Sequence, residues 1–285
     1  MNKILVTAAT GNTGSEVVKQ LSGQGLQFKA MVRNPSKQGV LSGVEWIEGS
    51  FSDINSLSNA FSDIDSIYVA MPPHPENEGW IQNIISAAQL AKVKHIVKLS
   101  GMGAHIEAGS EIIRVHAKTD ELIKASGVAY TLLQPNSFYQ NTFTALSTIK
   151  GEGAIYLPLG DSKQSFSDIR DVAAVAIKAL TESGHKNKTY RLSGPEALSF
   201  YDIAKKMGAA IGKEVTYIPI SVEQMNAAML DMGVPEWSAD KISEIFGWFA
   251  QGGYETVTLD IENVLGRKPY SFDNFINEYK IQFSK

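Results

Sequence analysis

Residues 6–14, Val-Thr-Ala-Ala-Thr-Gly-Asn-Thr-Gly, stand between a short apolar run at 4–7 and an amphipathic run that begins at Gly14. A glycine-bearing turn between a first strand and a first helix constrains this chain more than any other feature. Its free backbone N–H groups and the positive end of the helix dipole can hold a pyrophosphate, and small residues let the backbone come close. Positions 8, 11 and 14 carry Ala8, Gly11 and Gly14, a G-x-x-G-x-x-G spacing with alanine in the first place. The extra methyl is tolerated there provided the local backbone stays at negative φ. Thr7, Ala8, Thr10, Gly11, Asn12, Thr13 and Gly14 are the residues expected at the pyrophosphate.

Beyond this loop, apolar runs at 28–32, 44–47, 66–70, 95–99 and 130–133 alternate with stretches whose apolar residues recur at helical spacing. Val17, Val18 and Leu21 form one such face, with Gly25 as the stop, and Ile54, Leu57 and Phe61 form the next behind Ser52 as N-cap. The pattern predicts an α/β Rossmann fold: a doubly wound parallel sheet with a smaller, mostly helical C-terminal lobe. Residues 1–150 would form the dinucleotide-binding domain, 165–193 would return to the sheet, and 194–285 would form the lobe. Met and aromatic stripes in that lobe, such as Phe272, Phe275, Ile276 and Tyr279, read as core packing.

Composition narrows the function classes. A net charge of −4 argues against nucleic acid as a partner. The N-terminal apolar run is too short for a signal peptide or a membrane span, so a cytoplasmic protein without a membrane partner is expected. With no cysteine, disulfides, thiolate metal sites and a Cys nucleophile are excluded, and the five scattered histidines form no metal-binding motif. Oligomeric state is not written in the sequence, which is compatible with a homodimer.

Nineteen residues after Gly14, where a carboxylate would bind the ribose 2′-hydroxyl of NAD, the chain has Arg33, followed by Asn34-Pro35-Ser36-Lys37. A guanidinium there complements a 2′-phosphate by charge and paired donors, and Lys37 adds a second cation. The expected cofactor is NADP(H).

With these segments, GSFSD at 49–53, VKHIVKLS at 93–100, HAKTDELIKASGVAYTLLQPNSFYQN at 116–141 and FSDIRDVA at 166–173, the chain resembles the NmrA-like atypical short-chain dehydrogenases. That family includes bacterial NADPH-dependent quinone oxidoreductases and triphenylmethane reductases. The resemblance implies that the stretch containing Ser50 and Asp53 meets the adenine. It implies that Ala70, Met71, Pro72, Ser100, Lys118, Pro135, Asn136, Ser137 and Phe138 line the nicotinamide end.

Related enzymes use a Tyr-x-x-x-Lys pair for proton delivery, but four residues before Lys118 stands Arg114. Lys118 could still hold the nicotinamide ribose, and His116 could relay a proton. A quinone or related conjugated acceptor takes hydride directly and needs an oriented, dry site more than a dedicated acid. His74, Trp80, Phe138 and Tyr139 are the residues expected to form a flat slot for it. The expectation is an NADPH-dependent reductase of such acceptors. A non-catalytic NADP(H)-sensing regulator and a sugar-nucleotide epimerase are the alternatives.

Overall fold

The computed structural model describes residues 2–34 and 41–284. Its strands are β1 (Ile4–Val6), β2 (Phe28–Val32), β3 (Val44–Glu48), β4 (Ser66–Val69), β5 (His95–Leu99), β6 (Tyr130–Pro135), β7 (Ala154–Leu157), β8 (Lys188–Leu192) and β9 (Thr216–Pro219). Seven of them form one parallel sheet in the order β3-β2-β1-β4-β5-β6-β8. The order reverses between β1 and β4, which opens a crevice at the carboxyl edge where ligands of such sheets bind.

Both faces of the sheet are covered, so successive strand residues enter different cores. Ile4, Val6, Ala30, Val32, Tyr68, Val97 and Leu133 face α1 (Asn12–Gly23) and α6 (Ile169–Thr181). Leu5, Met31, Ile67, Val69, Ile96 and Leu132 face α2 (Ile54–Phe61), α3 (Asn77–Leu90) and α4 (Glu111–Ala125). The N-cap of α2 is Asp53 rather than Ser52, because its carboxylate accepts the N–H groups of Asn55 and Ser56.

A third core lies beside the sheet. It gathers residues of α5 (Leu146–Glu152), α7 (Phe200–Ile211) and α11 (Phe272–Ser284), with Ile155 of β7 and Tyr217 of β9. The parallel pair β7 and β9 was not anticipated from sequence, since two four-residue strands far apart in the chain carry little periodicity. Tyr139, Phe272, Phe275 and Phe283 are fully buried in this core, at about 2 kcal/mol for each apolar side chain removed from water. Beyond it run α8 (Val222–Asp231), α9 (Glu236–Phe249) and α10 (Asp260–Leu265), the last returning Ile261 to the first core. No helix of the described residues is long and apolar enough to cross a membrane.

His95, at the start of β5, is buried, and its Nε2 lies 2.8 Å from Thr131 Oγ1, which donates to the carbonyl of His185 at 2.7 Å. Burial, reinforced by the charge of Lys186, pushes its pKa down from 6.5 to about 4. An unfolded chain therefore binds a proton here at a pH where the folded chain does not. The stability contribution is complete above pH 6.5 and is lost as pH falls toward about 4. That loss should amount to roughly 3 kcal/mol. Urea titrations across this range should show a shallower acid dependence in His95→Gln; an unchanged slope would contradict the assignment.

Candidate functional site

The turn from β1 into α1 is built for a close approach. Ala8 has φ of +46°, and its carbonyl accepts the N–H of Gly11 at 2.8 Å. The negative φ expected at Ala8 is thus corrected: the residue is left-handed, a conformation that costs alanine about 1 kcal/mol. A Cβ on Gly14 would stand 2.2 Å from the Ala8 oxygen, and one on Gly11 would stand 3.2 Å from it. Gly11, the N-cap, has no side chain to offer the first turn of α1, and that turn carries no acidic residue. The first N–H groups of the helix are left for an anion, so the cradle fits a dinucleotide pyrophosphate. Thr10 and Asn12 are exposed beside it, while Thr13 is buried.

Thr7 ties this loop to the far side of the crevice. Its N–H donates to the Tyr68 carbonyl at 3.0 Å, and its Oγ1 accepts the Ala70 N–H at 3.3 Å. Arg33 and Asn34 are exposed at the end of β2. Among the described residues Arg33 forms no ion pair; Lys37 lies outside the described residues. Ser50 engages Ser52 and Ser56, and the Asp53 carboxylate is occupied as the α2 cap, so the side chains expected to meet the adenine are already engaged within the chain.

At the ends of β4, β5 and β6, Ala70, Ser100, Pro135 and Asn136 are buried and Met71 is half-buried. The Asn136 amide is committed internally, donating to Ser165 Oγ and to the Tyr254 carbonyl and accepting the Ser137 N–H. It staples the sheet edge to the lobe. Pro72 is exposed, and its carbonyl accepts from Asn77 Nδ2.

Next to Met71 opens a narrow cleft of about 30 Å³, between the β4–α3 loop, α4 and α9. Met71, Pro73, Ile112, Val115 and Trp237 give it apolar walls, and His74, Asn77, Glu111 and His116 supply polar atoms. Trp237, from the first turn of α9, comes from a distant segment that carried no readable motif. A hydrogen bond from the Glu111 N–H to Glu244 and a 2.6 Å ion pair between Glu111 and Lys241 hold α9 against the start of α4. Arg114, in the place of the family tyrosine, donates to the Ala108 carbonyl and faces Glu244, and so belongs to this latch.

The remaining sequence candidates separate. His74 and His116 meet in the cleft; Trp80 stands behind His74, stacked at 4.2 Å between centroids. Tyr139 does not line a slot: it is fully buried against Phe272 and Phe275, because the turn after β6 points it into the third core. Phe138 packs against the first core. Lys118 is exposed and pairs with Glu78 of α3 at 2.9 Å, on the outer side of α4. Burial pushes the pKa of His116 down to about 4, with the charge of Lys98 adding to the effect and that of Asp120 opposing it. Its ring is neutral at physiological pH.

A family described as NAD(P)H-binding matches residues 8–183. The chain is 37% identical to the NAD(P)H azoreductase of Xenophilus azovorans over 283 residues, which covers 98% of this chain and 99% of that protein. The quinone oxidoreductase QOR2 of Escherichia coli, solved with NADPH, superposes with a TM-score of 0.87 at 25% identity, covering 96% and 99% of the two chains. Triphenylmethane reductase of Citrobacter sp., solved with NADP(H), superposes with a TM-score of 0.84 at 28% identity and the same coverage.

Proposed function

This chain belongs to the NAD(P)H-binding family that its residues 8–183 match, with the NmrA-like atypical dehydrogenases it resembles, and on that premise we propose that it is an NADPH-dependent reductase of planar conjugated acceptors. Quinones, azo compounds and related dyes are the acceptor class. The observation that carries the reading is the cleft beside Met71, at the carboxyl edge of the sheet, whose walls of Pro73, Ile112, Val115 and Trp237 are apolar. The azoreductase and the two solved reductases support it by similarity.

Bound NADPH supplies a hydride, and the acceptor takes that hydride and one proton. The chain's own residues do the rest. Gly11, Gly14 and the start of α1 hold the pyrophosphate, and Arg33 holds the 2′-phosphate. The apolar walls exclude water and orient the acceptor, and His116 stands where a proton can be passed to it. Lys118, engaged with Glu78, would have to leave that pair to reach the nicotinamide ribose. An epimerase would need the tyrosine whose place Arg114 occupies.

The test is oxidation of NADPH by a panel of quinones, azo compounds and triphenylmethane dyes, with NADH and Arg33→Ala as comparisons. Turnover with one or more of these acceptors is expected. Arg33→Ala should weaken NADPH binding by about 10- to 100-fold while leaving NADH unchanged. Tight NADPH binding without turnover of any acceptor would overturn the enzyme reading in favour of a redox sensor. An Arg33→Ala protein that still prefers NADPH would overturn the cofactor assignment.

A further inference from the structure

Alternation along β5 sends Ile96, Lys98 and Ser100 to the same side of the sheet, and Ile96 belongs to the core packed under α4. A lysine is thus placed where an apolar side chain would ordinarily go, and it is about 1% exposed. Its Nζ donates to Asp120 Oδ1 at 2.7 Å, and Asp120 is itself buried on the inner face of α4. Ser100 Oγ donates to Asp120 Oδ2 at 2.7 Å, and Gln134 Nε2 donates to the same oxygen at 3.3 Å. The carboxylate is therefore held from three directions by β5 and β6. Removing two charges from water costs several kcal/mol apiece before their attraction is counted, so packing alone does not account for a pair at this place.

One helical turn before Asp120 stands His116, which puts the imidazole on the same side of α4 as the carboxylate. The ring lies against Gly101, where a Cβ would come within 3.2 Å of its Cδ2, and its other side lines the acceptor cleft. The neighbouring charged and titratable groups are few. Lys98 stands on β5 and Asp120 on α4, with Glu111, at the start of α4, and His74 also lining the cleft. Glu111 is neutralised by Lys241 of α9.

We propose that Lys98 is a positioning residue: paired with Asp120, it offsets the carboxylate one helical turn from His116, which would otherwise favour a charged ring at the wall of the acceptor cleft. A neutral ring can pass a proton: one nitrogen gives its proton to the reduced acceptor while the other takes one from water. In azo reduction, hydride from NADPH forms a bond to one nitrogen, the proton bonds to the other, and the N=N double bond becomes an N–N single bond. This role rests on the reading of the cleft as the acceptor site. The pair's effect on the ring does not, and is measured separately.

The measurement is the NMR titration of the His116 imidazole in the full-length chain without acceptor, its resonance identified by its disappearance in His116→Gln. In the unsubstituted protein the ring should remain neutral down to about pH 5. Lys98→Met should raise its midpoint by about one unit or more, because the Asp120 charge is then unopposed. Asp120→Asn should lower it. The double variant Lys98→Met/Asp120→Asn leaves no unpaired buried charge, should fold where the single variants fail, and should raise the midpoint by less than Lys98→Met. A merely structural pair would weaken the fold without moving the midpoint in opposite directions. If Lys98→Met or the double variant folds and His116 titrates as in the unsubstituted protein, the proposal is overturned. If the midpoints shift as expected but no acceptor oxidises NADPH, the proposal stands and the reductase reading fails. With a reducible acceptor, the acid limb of kcat should move with the His116 midpoint, and KM for NADPH should not change.

Discussion

Gly14→Ala is expected to weaken NADPH binding by at least about 100-fold. The added Cβ would stand 2.2 Å from the Ala8 carbonyl oxygen and 2.8 Å from the Ala8 carbonyl carbon. Both are backbone atoms of the turn that faces the pyrophosphate, so no side chain can swing away to relieve the overlap. The helix start must back away from the loop, carrying off the N–H groups that an anion needs. Gly11→Ala should be milder, near 10-fold, since its Cβ would stand 3.2 Å from the Ala8 oxygen and in ordinary contact with the Ala8 Cβ at 3.9 Å, and its φ of −81° suits alanine. Calorimetric titration with NADPH, with circular dichroism to confirm folding, checks both. A Gly14→Ala protein that binds NADPH as tightly as the unsubstituted one would show that the cofactor does not sit on this turn.

Asp168→Ala should be among the most damaging single changes to stability, at about 3–5 kcal/mol. The Asp168 carboxylate is fully buried and caps α6 by accepting the Arg170 N–H at 2.9 Å. It also takes Arg170 Nε at 2.9 Å, Arg170 Nη2 at 2.7 Å and Gln140 Nε2 at 2.9 Å. The same guanidinium pairs with Glu278 of α11 and lies 4.2 Å over the ring of Tyr270. Losing Asp168 leaves the guanidinium, between α6, the turn after β6 and the C-terminal helix, with the exposed Glu278 in place of its buried counter-charge. Equilibrium urea unfolding measures the effect, and a loss below about 1 kcal/mol would refute it. Asp168→Ala combined with Arg170→Met should be less harmful than Asp168→Ala alone, because the largely buried guanidinium is then removed together with its buried partner.

The sheet was legible because its strands are buried on both faces and read as continuous apolar runs punctuated by turns. Phe28–Val32 and His95–Leu99 coincide with the expected spans. The turn from β1 into α1 was legible because strand, glycine spacing and helix are contiguous in the chain. The φ of Ala8 was not, since a methyl group in the sequence says nothing about which way the carbonyl beside it must turn. The cleft beside Met71 was half visible. His74 could be placed near the carboxyl edge by counting strands and His116 stood out by its nearness to Lys118 in the chain, whereas Trp237 enters from a helix whose position depends on the Glu111, Lys241 and Glu244 contacts. Tyr139 misled for a related reason: the loop that follows β6 marks the right neighbourhood, but a ring there can turn toward either of two cores. Lys98 left one trace, a lysine on the inward-facing side of a strand, which gains meaning only when Asp120 is seen opposite it.

The packing of α1 on α6 bears on how the protein emerges from the ribosome. Gln20 on the first helix donates to the carbonyl of Arg170, 150 residues later, and Ile261 closes the same layer from still further along. Contacts this distant in sequence make for slow, late consolidation. The nucleotide cradle is encoded in the first fourteen residues but has nothing firm behind it until most of the chain has been synthesised. A nascent chain stalled at the end of β6 would expose the apolar side of α1, and chaperone capture of such intermediates should be strongest there.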